Sequence, residues 1–211
     1  MNYAHFIFTR YNLGLYENPK IQDKEAWMEE RFELFKGCSD SIHNQTTNNF
    51  IWIIGIDPKT PEEEKKRIQS YGTIDTVITN REIADFVRTN VAPFINKEWI
   101  VTQRLDNDDR LEDRCVEEIQ SQLREVEEVI DIDGRQLDLN TGKYYTSGRK
   151  RPNSPFLTLC ERNDGEVKTC FFRAHSNMGE TFKARKIEKQ LYIQVIHEGC
   201  LMNKLIGTEI E

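Results

Sequence analysis

The chain has 211 residues, and 37% of them are hydrophobic, which suffices for one core and leaves no need for a second domain. A net charge of −7 opposes long-range attraction to nucleic acid, so no nucleic-acid partner is expected. The five cysteines (Cys38, Cys115, Cys160, Cys170 and Cys200) form no C-x-x-C pair, which excludes a disulfide framework or a zinc knuckle and points to reduced thiols in a cytoplasmic protein.

Met1–Arg10 (MNYAHFIFTR) lacks the basic start and long apolar run of a signal peptide. No stretch approaches the roughly 20 apolar residues of a transmembrane segment. Residues 4–9 read as a strand, and residues 25–36 place Trp27, Arg31, Leu34 and Phe35 at helical spacing. Phe50–Ile56 is apolar on both faces, as a buried parallel strand is. Thr60-Pro61-Glu62-Glu63 predicts a helix with a threonine N-cap, running to about Tyr71. Residues 75–79 form a further strand. Asn80 can cap a helix carrying Ile83, Phe86, Val87 and Val91. Residues 99–105 are the fourth strand, and Leu111, Cys115, Ile119, Leu123 and Val126 mark one helical face.

Four strand–helix alternations predict an α/β fold with a doubly wound, mostly parallel sheet. The second half differs. Residues 129–139, 143–147, 156–160, 167–174 and 191–197 all look extended. Asp133-Gly134, Thr141-Gly142 and Asp164-Gly165 separate them as turn signals, so a mixed, β-rich half completes the sheet.

Asp106-Asn107-Asp108-Asp109 follows the fourth strand. Open α/β sheets bind ligands at the carboxyl ends of their strands. Three acids there repel one another unless solvated or neutralised. Mn²⁺ or Mg²⁺, which takes one or two carboxylates together with substrate phosphates, supplies that neutralisation. The competing reading is an acidic helix cap, although a cap needs one aspartate and here there are three. An EF-hand is excluded, because Arg110 takes a ligand position and the glycine is missing.

HFIFTRYN, RFELFKGCSDSIHNQT, NFIWIIGID, IVTQRLDNDDRLED, SPFLTLCE and LYIQVIHEG occur in this order from His5 towards Gly207. Together they resemble the rhamnosyltransferase family related to family 2 glycosyltransferases of GT-A fold. RLDNDD is the most specific segment. The resemblance implies one domain over residues 1–211, with a nucleotide-binding half (1–110) and an acceptor-side half (111–211). It implies sugar transfer from a UDP-, dTDP- or GDP-sugar to a saccharide or other hydroxyl acceptor, usually with inversion.

Carried over by position, Asp108 is the main metal ligand, Asp106 meets the ribose or shares the metal, and Asp109 supports it. Thr9, Arg10 and Tyr11 grip the nucleotide, Asp57 bonds the base, and Arg104 reaches a carboxylate or a phosphate. His197 or His175 completes the metal's coordination. Glu161, with Asp164 second, is the expected general base for the acceptor hydroxyl. Arg149-Lys150-Arg151 and residues 183–186 are basic stretches able to meet an anion, though such runs are commonly solvated surface. Trp27, Trp52 and Trp99 read as core. A metal-dependent phosphohydrolase or nuclease, and a non-catalytic nucleotide-sugar-binding protein, are the alternatives that the acidic cluster also permits.

Overall fold

The computed structural model describes residues 1–71, 76–79, 81–148, 154–200 and 204–210. Strand β1 (Tyr3–Arg10) is buried from Ala4 through Thr9, as befits a strand covered on both faces. It pairs in parallel with β2 (Ile51–Gly55) on one edge and β4 (Trp99–Asp106) on the other. Strand β3 (Thr76–Thr79) extends the parallel run beyond β2. Helices α1 (Lys24–His43), α2 (Glu62–Gln69) and α3 (Ile83–Asn90) make the connections.

Period-two alternation splits the central strands between two cores. Ile7, Trp52 and Ile54 face Phe35 and Phe156, whereas Phe6, Phe8 and Ile53 face Val87 and Met178. Helix α1 runs longer than its sequence signal. Asp23 caps it by accepting from the Ala26 N–H at 2.9 Å, and Cys38 and Ile42 carry the buried face to its end.

Beyond β4 the sheet becomes mixed. Strand β8 (Thr158–Arg162) lies antiparallel to β4, and β6 (Glu128–Asp138) lies antiparallel to β8. Strand β9 (Lys183–Ile196) runs parallel to β6 along its other edge. Strand β7 (Lys143–Thr146) pairs with the end of β6 and with β10 (Glu209–Ile210). The two-residue β5 (Arg110–Leu111) clips onto β9.

Five expectations need correction. Thr60 does not cap α2: its hydroxyl donates to the Asp57 carbonyl at 2.7 Å, and Pro61 stands at the N-cap. The fourth helix, α4, is only Cys115–Ser121, because Leu111 is drawn into β5 opposite Tyr192. Asp133-Gly134 is not a turn but a register shift inside β6, where any Cβ on Gly134 would strike the Tyr192 backbone. Residues 167–174 form no strand. Glu161 and Thr102 take up the backbone N–H groups of Lys168, Thr169 and Cys170, and Thr169 adopts a φ of 66°. Asn80, the expected cap of α3, lies outside the described residues, as do Arg149, Lys150 and Arg151; Glu82 stands at the observed N-cap.

Candidate active site

The strand order β3-β2-β1-β4 reverses direction at β1, so the carboxyl ends of β1 and β4 form a topological switch point. The register places Arg10 directly opposite Asp106 there. The two loops are tied together, as Asn107 donates through Nδ2 to the Tyr11 carbonyl at 2.5 Å. A cavity of about 590 Å³ opens at this point, with Arg10, Tyr11, Asp106, Asn107 and Asp108 on its wall.

The four cluster residues do different things. Asp106 is one-third exposed and takes the Arg104 guanidinium at 3.2 Å, with Arg10 at 3.9 Å. Both arginines stack over one ring, that of Phe171, at 5.0 and 5.4 Å. Asn107 is buried and structural. Asp108 pairs with Arg31 of α1 and with His197 Nε2 at 3.2 Å. Burial pushes the Asp108 pKa upward, but His197 and Arg31 outweigh it and hold the carboxyl below the usual range. Asp109 is 1% exposed and accepts the Val195 N–H at 2.8 Å. Burial, reinforced by Asp108 and Asp106, raises its pKa well above a normal carboxyl. The bond to Asp108, supported by Cys200, pushes His197 up to about 9.

His197 reaches the cluster because β9 runs parallel to β6 and ends, after Ile196, at the same sheet edge. Cys200 follows one tight turn later and also lines the cavity. Among the described residues, Asp108, His197 and Cys200 form a set whose ligand atoms all lie within 4.8 Å of one another. A carboxylate and a thiol on a cavity wall, with a buried imidazole beside them, fit a divalent cation by donor chemistry. His175 is not part of this set. It opens a short 3-10 helix, His175–Glu180, on the segment that follows Phe171.

The remaining expected site residues scatter. Thr9 is fully buried, where its hydroxyl accepts from the Trp52 indole at 3.0 Å. Tyr11 donates its hydroxyl to Glu64 at 2.7 Å. Asp57 is buried at the end of β2 and folds onto its own loop, accepting from the Lys59 N–H at 2.9 Å.

The structure does not bring Glu161 to the cluster. β8 is antiparallel, so Glu161 pairs with Ile100, six residues before Asp106 and about 20 Å away along the strand. Its carboxylate is occupied by the backbone N–H groups of Lys168 and Thr169, both at 2.8 Å. Asp164 lies exposed at the same far end, in a turn with Glu166. Within the 183–186 stretch, Arg185 pairs with the buried Glu128 at 2.9 Å instead of facing the cavity.

Three site residues lie outside the set expected from the sequence. Trp27, expected in the core, is partly exposed on the cavity wall with Arg31 stacked on it at 5.3 Å. Arg31 is buried, and its Nε atom has no partner. Cys200 could have been noticed through its His-x-x-Cys spacing from His197.

The profile of the family described as "Putative rhamnosyl transferase" matches residues 7–198. The chain belongs to that family. Solved structures share its fold. Staphylococcus aureus TarS 1–349 in complex with UDP-GlcNAc superposes with a TM-score of 0.56 at 13% identity, covering 94% of this chain and 60% of TarS 1–349. The same fragment without ligand gives a TM-score of 0.53 at 12% identity over 92% and 60% of the two chains. The chain thus spans 60% of the TarS fragment it matches. No curated protein matches it in sequence. No helix among the described residues is long and apolar enough to cross a membrane.

Proposed function

We propose that this rhamnosyl transferase family member moves a sugar from a nucleoside diphosphate to an acceptor hydroxyl, inverts the anomeric centre, and requires a divalent cation such as Mn²⁺ or Mg²⁺. The observation that carries this reading is the register setting Arg10 against Asp106, with Asp108 on the same cavity and His197 paired to it from behind. Such a switch-point cleft suits a phosphorylated ligand. TarS, which shares the fold, binds UDP-GlcNAc, so a UDP-linked sugar is the first donor to test; the family description points to rhamnose.

Arg10 and Arg104, held together on Phe171, present two guanidinium groups to the diphosphate. Asp106 fixes their orientation. Trp27 offers a flat apolar face to the nucleobase. Asp108 and His197 would hold the cation, which would supply positive charge against the departing diphosphate. The acceptor oxygen attacks the anomeric carbon opposite the diphosphate, whose bond to that carbon breaks. Glu82, the other carboxylate on the cavity wall, takes the hydroxyl proton in place of Glu161.

Calorimetry with UDP, dTDP and GDP, each with and without Mn²⁺, tests the reading. One nucleotide is expected to bind in a cation-dependent way. A folded protein that binds none of them under any condition would overturn it.

A further inference from the structure

We infer that Cys200 is a third protein ligand of this cation, so that the site prefers thiolate-tolerant ions such as Co²⁺ or Zn²⁺ over Mg²⁺. The inference rests on the cation dependence proposed above. The turn after β9 builds the arrangement: Cys200 N–H bonds to the His197 carbonyl at 3.1 Å, and Gly199 N–H bonds to His197 Nδ1 at 3.1 Å. These bonds fold the sulfur back beside the imidazole, where it stands 3.4 Å from the His197 backbone nitrogen. A Cβ on Gly199 would meet the Glu30 carboxylate of α1, which would have to move aside.

The other four cysteines are buried, whereas Cys200 is partly exposed on the cavity. Its sulfur, His197 and Asp108 are already within 4.8 Å. Donors sharing one ion stand about 3.5 Å apart, given ligand bonds of roughly 2.0–2.3 Å, so a contraction of about 1 Å closes the set.

The donor set fixes the metal preference. Thiolate binds Co²⁺ and Zn²⁺ well, whereas Mg²⁺ demands oxygen ligands and keeps its water. On ligation the thiol proton passes to bulk water.

Anaerobic titration of the full chain with Co²⁺ tests the inference. A near-ultraviolet sulfur-to-cobalt charge-transfer band is expected, and Co²⁺ should protect Cys200 from iodoacetamide, read by mass spectrometry. Cys200→Ser should lose the band and weaken Co²⁺ binding about tenfold, while Mg²⁺ binding changes less than about twofold. The protection measurement needs no variant, so a misfolded Cys200→Ser protein does not impair the test. Co²⁺ bound without the band and without protection would overturn the role of Cys200 and leave cation dependence standing. No binding of Co²⁺, Mn²⁺ or Mg²⁺, even with UDP present, would remove both.

Discussion

The two ends of β4 both hold buried acids, and the environments of those acids separate binding chemistry from scaffolding. At the amino end, Glu161 is 2% exposed and fixed by two backbone N–H groups, and Glu128 is fully buried between Arg124 and Arg185. Every charge there has an internal partner and no cavity adjoins it among those described. At the carboxyl end, Asp106 and Asp108 also have arginine partners, but Arg10–Asp106 and Arg31–Asp108 line an open cavity beside His197 and Cys200. Acidity alone therefore says little. An acid whose partners are all internal stiffens the fold, whereas one paired at a cavity wall can exchange its partner for a ligand.

That contrast can be broken most forcefully at Asp108. Asp108→Asn should lower kcat about a thousandfold, because it removes the anion shared by Arg31 and His197 at the reacting end. Steady-state transfer from the donor nucleotide identified by calorimetry measures this loss. Asp108→Asn activity within about tenfold of wild type would dissolve the distinction between the two ends.

Glu128→Ala should do the opposite: a stability loss of about 3–5 kcal/mol in urea unfolding, with kcat in the surviving folded fraction nearly unchanged. It strands Arg124 and Arg185 without their shared carboxylate. Glu161→Ala should follow the same pattern at about 2–3 kcal/mol, since two backbone N–H groups lose their acceptor. If Glu161→Ala instead abolished transfer in a stable protein, Glu161 would regain its place as the base.

The amino end also predicts a pH effect. Burial drives His5 down to about 3, so the folded protein keeps this ring neutral where the unfolded chain protonates it near 6.5. The unfolded state then binds more protons between those values, and stability falls as pH drops through that window. The slope is about 1.4 kcal/mol per pH unit from this group. His5→Gln should show a correspondingly shallower decline between pH 6.5 and 4.5 in urea midpoints.

The smallest effect belongs to the cavity wall. Trp27→Ala should weaken nucleotide binding about tenfold by calorimetry while leaving kcat at saturation within about twofold. An unchanged affinity would show that the indole face is not used.

The strand–helix alternation was legible in the sequence because its apolar runs and Pro61 are local signals. So was the acidic cluster, since DNDD directly follows an apolar strand signal. Glu161 misled because FLTLCE reads as a strand end in either direction, and only pairing shows that β8 runs antiparallel. Residues 167–174 misled because an apolar run satisfied by Glu161 and Thr102 side chains looks like one satisfied by a neighbouring strand.

By itself the sequence determined the α/β class, the family and the position of Asp106–Asp109 after the fourth strand, since each depends on residues close together in the chain. Tertiary structure alone decided which atoms meet those aspartates. Arg31 is 77 residues from Asp108, and His197 is 89 residues from it. Helix α1 packing across the sheet and β9 running parallel to β6 bring them in, and neither direction is encoded by local spacing.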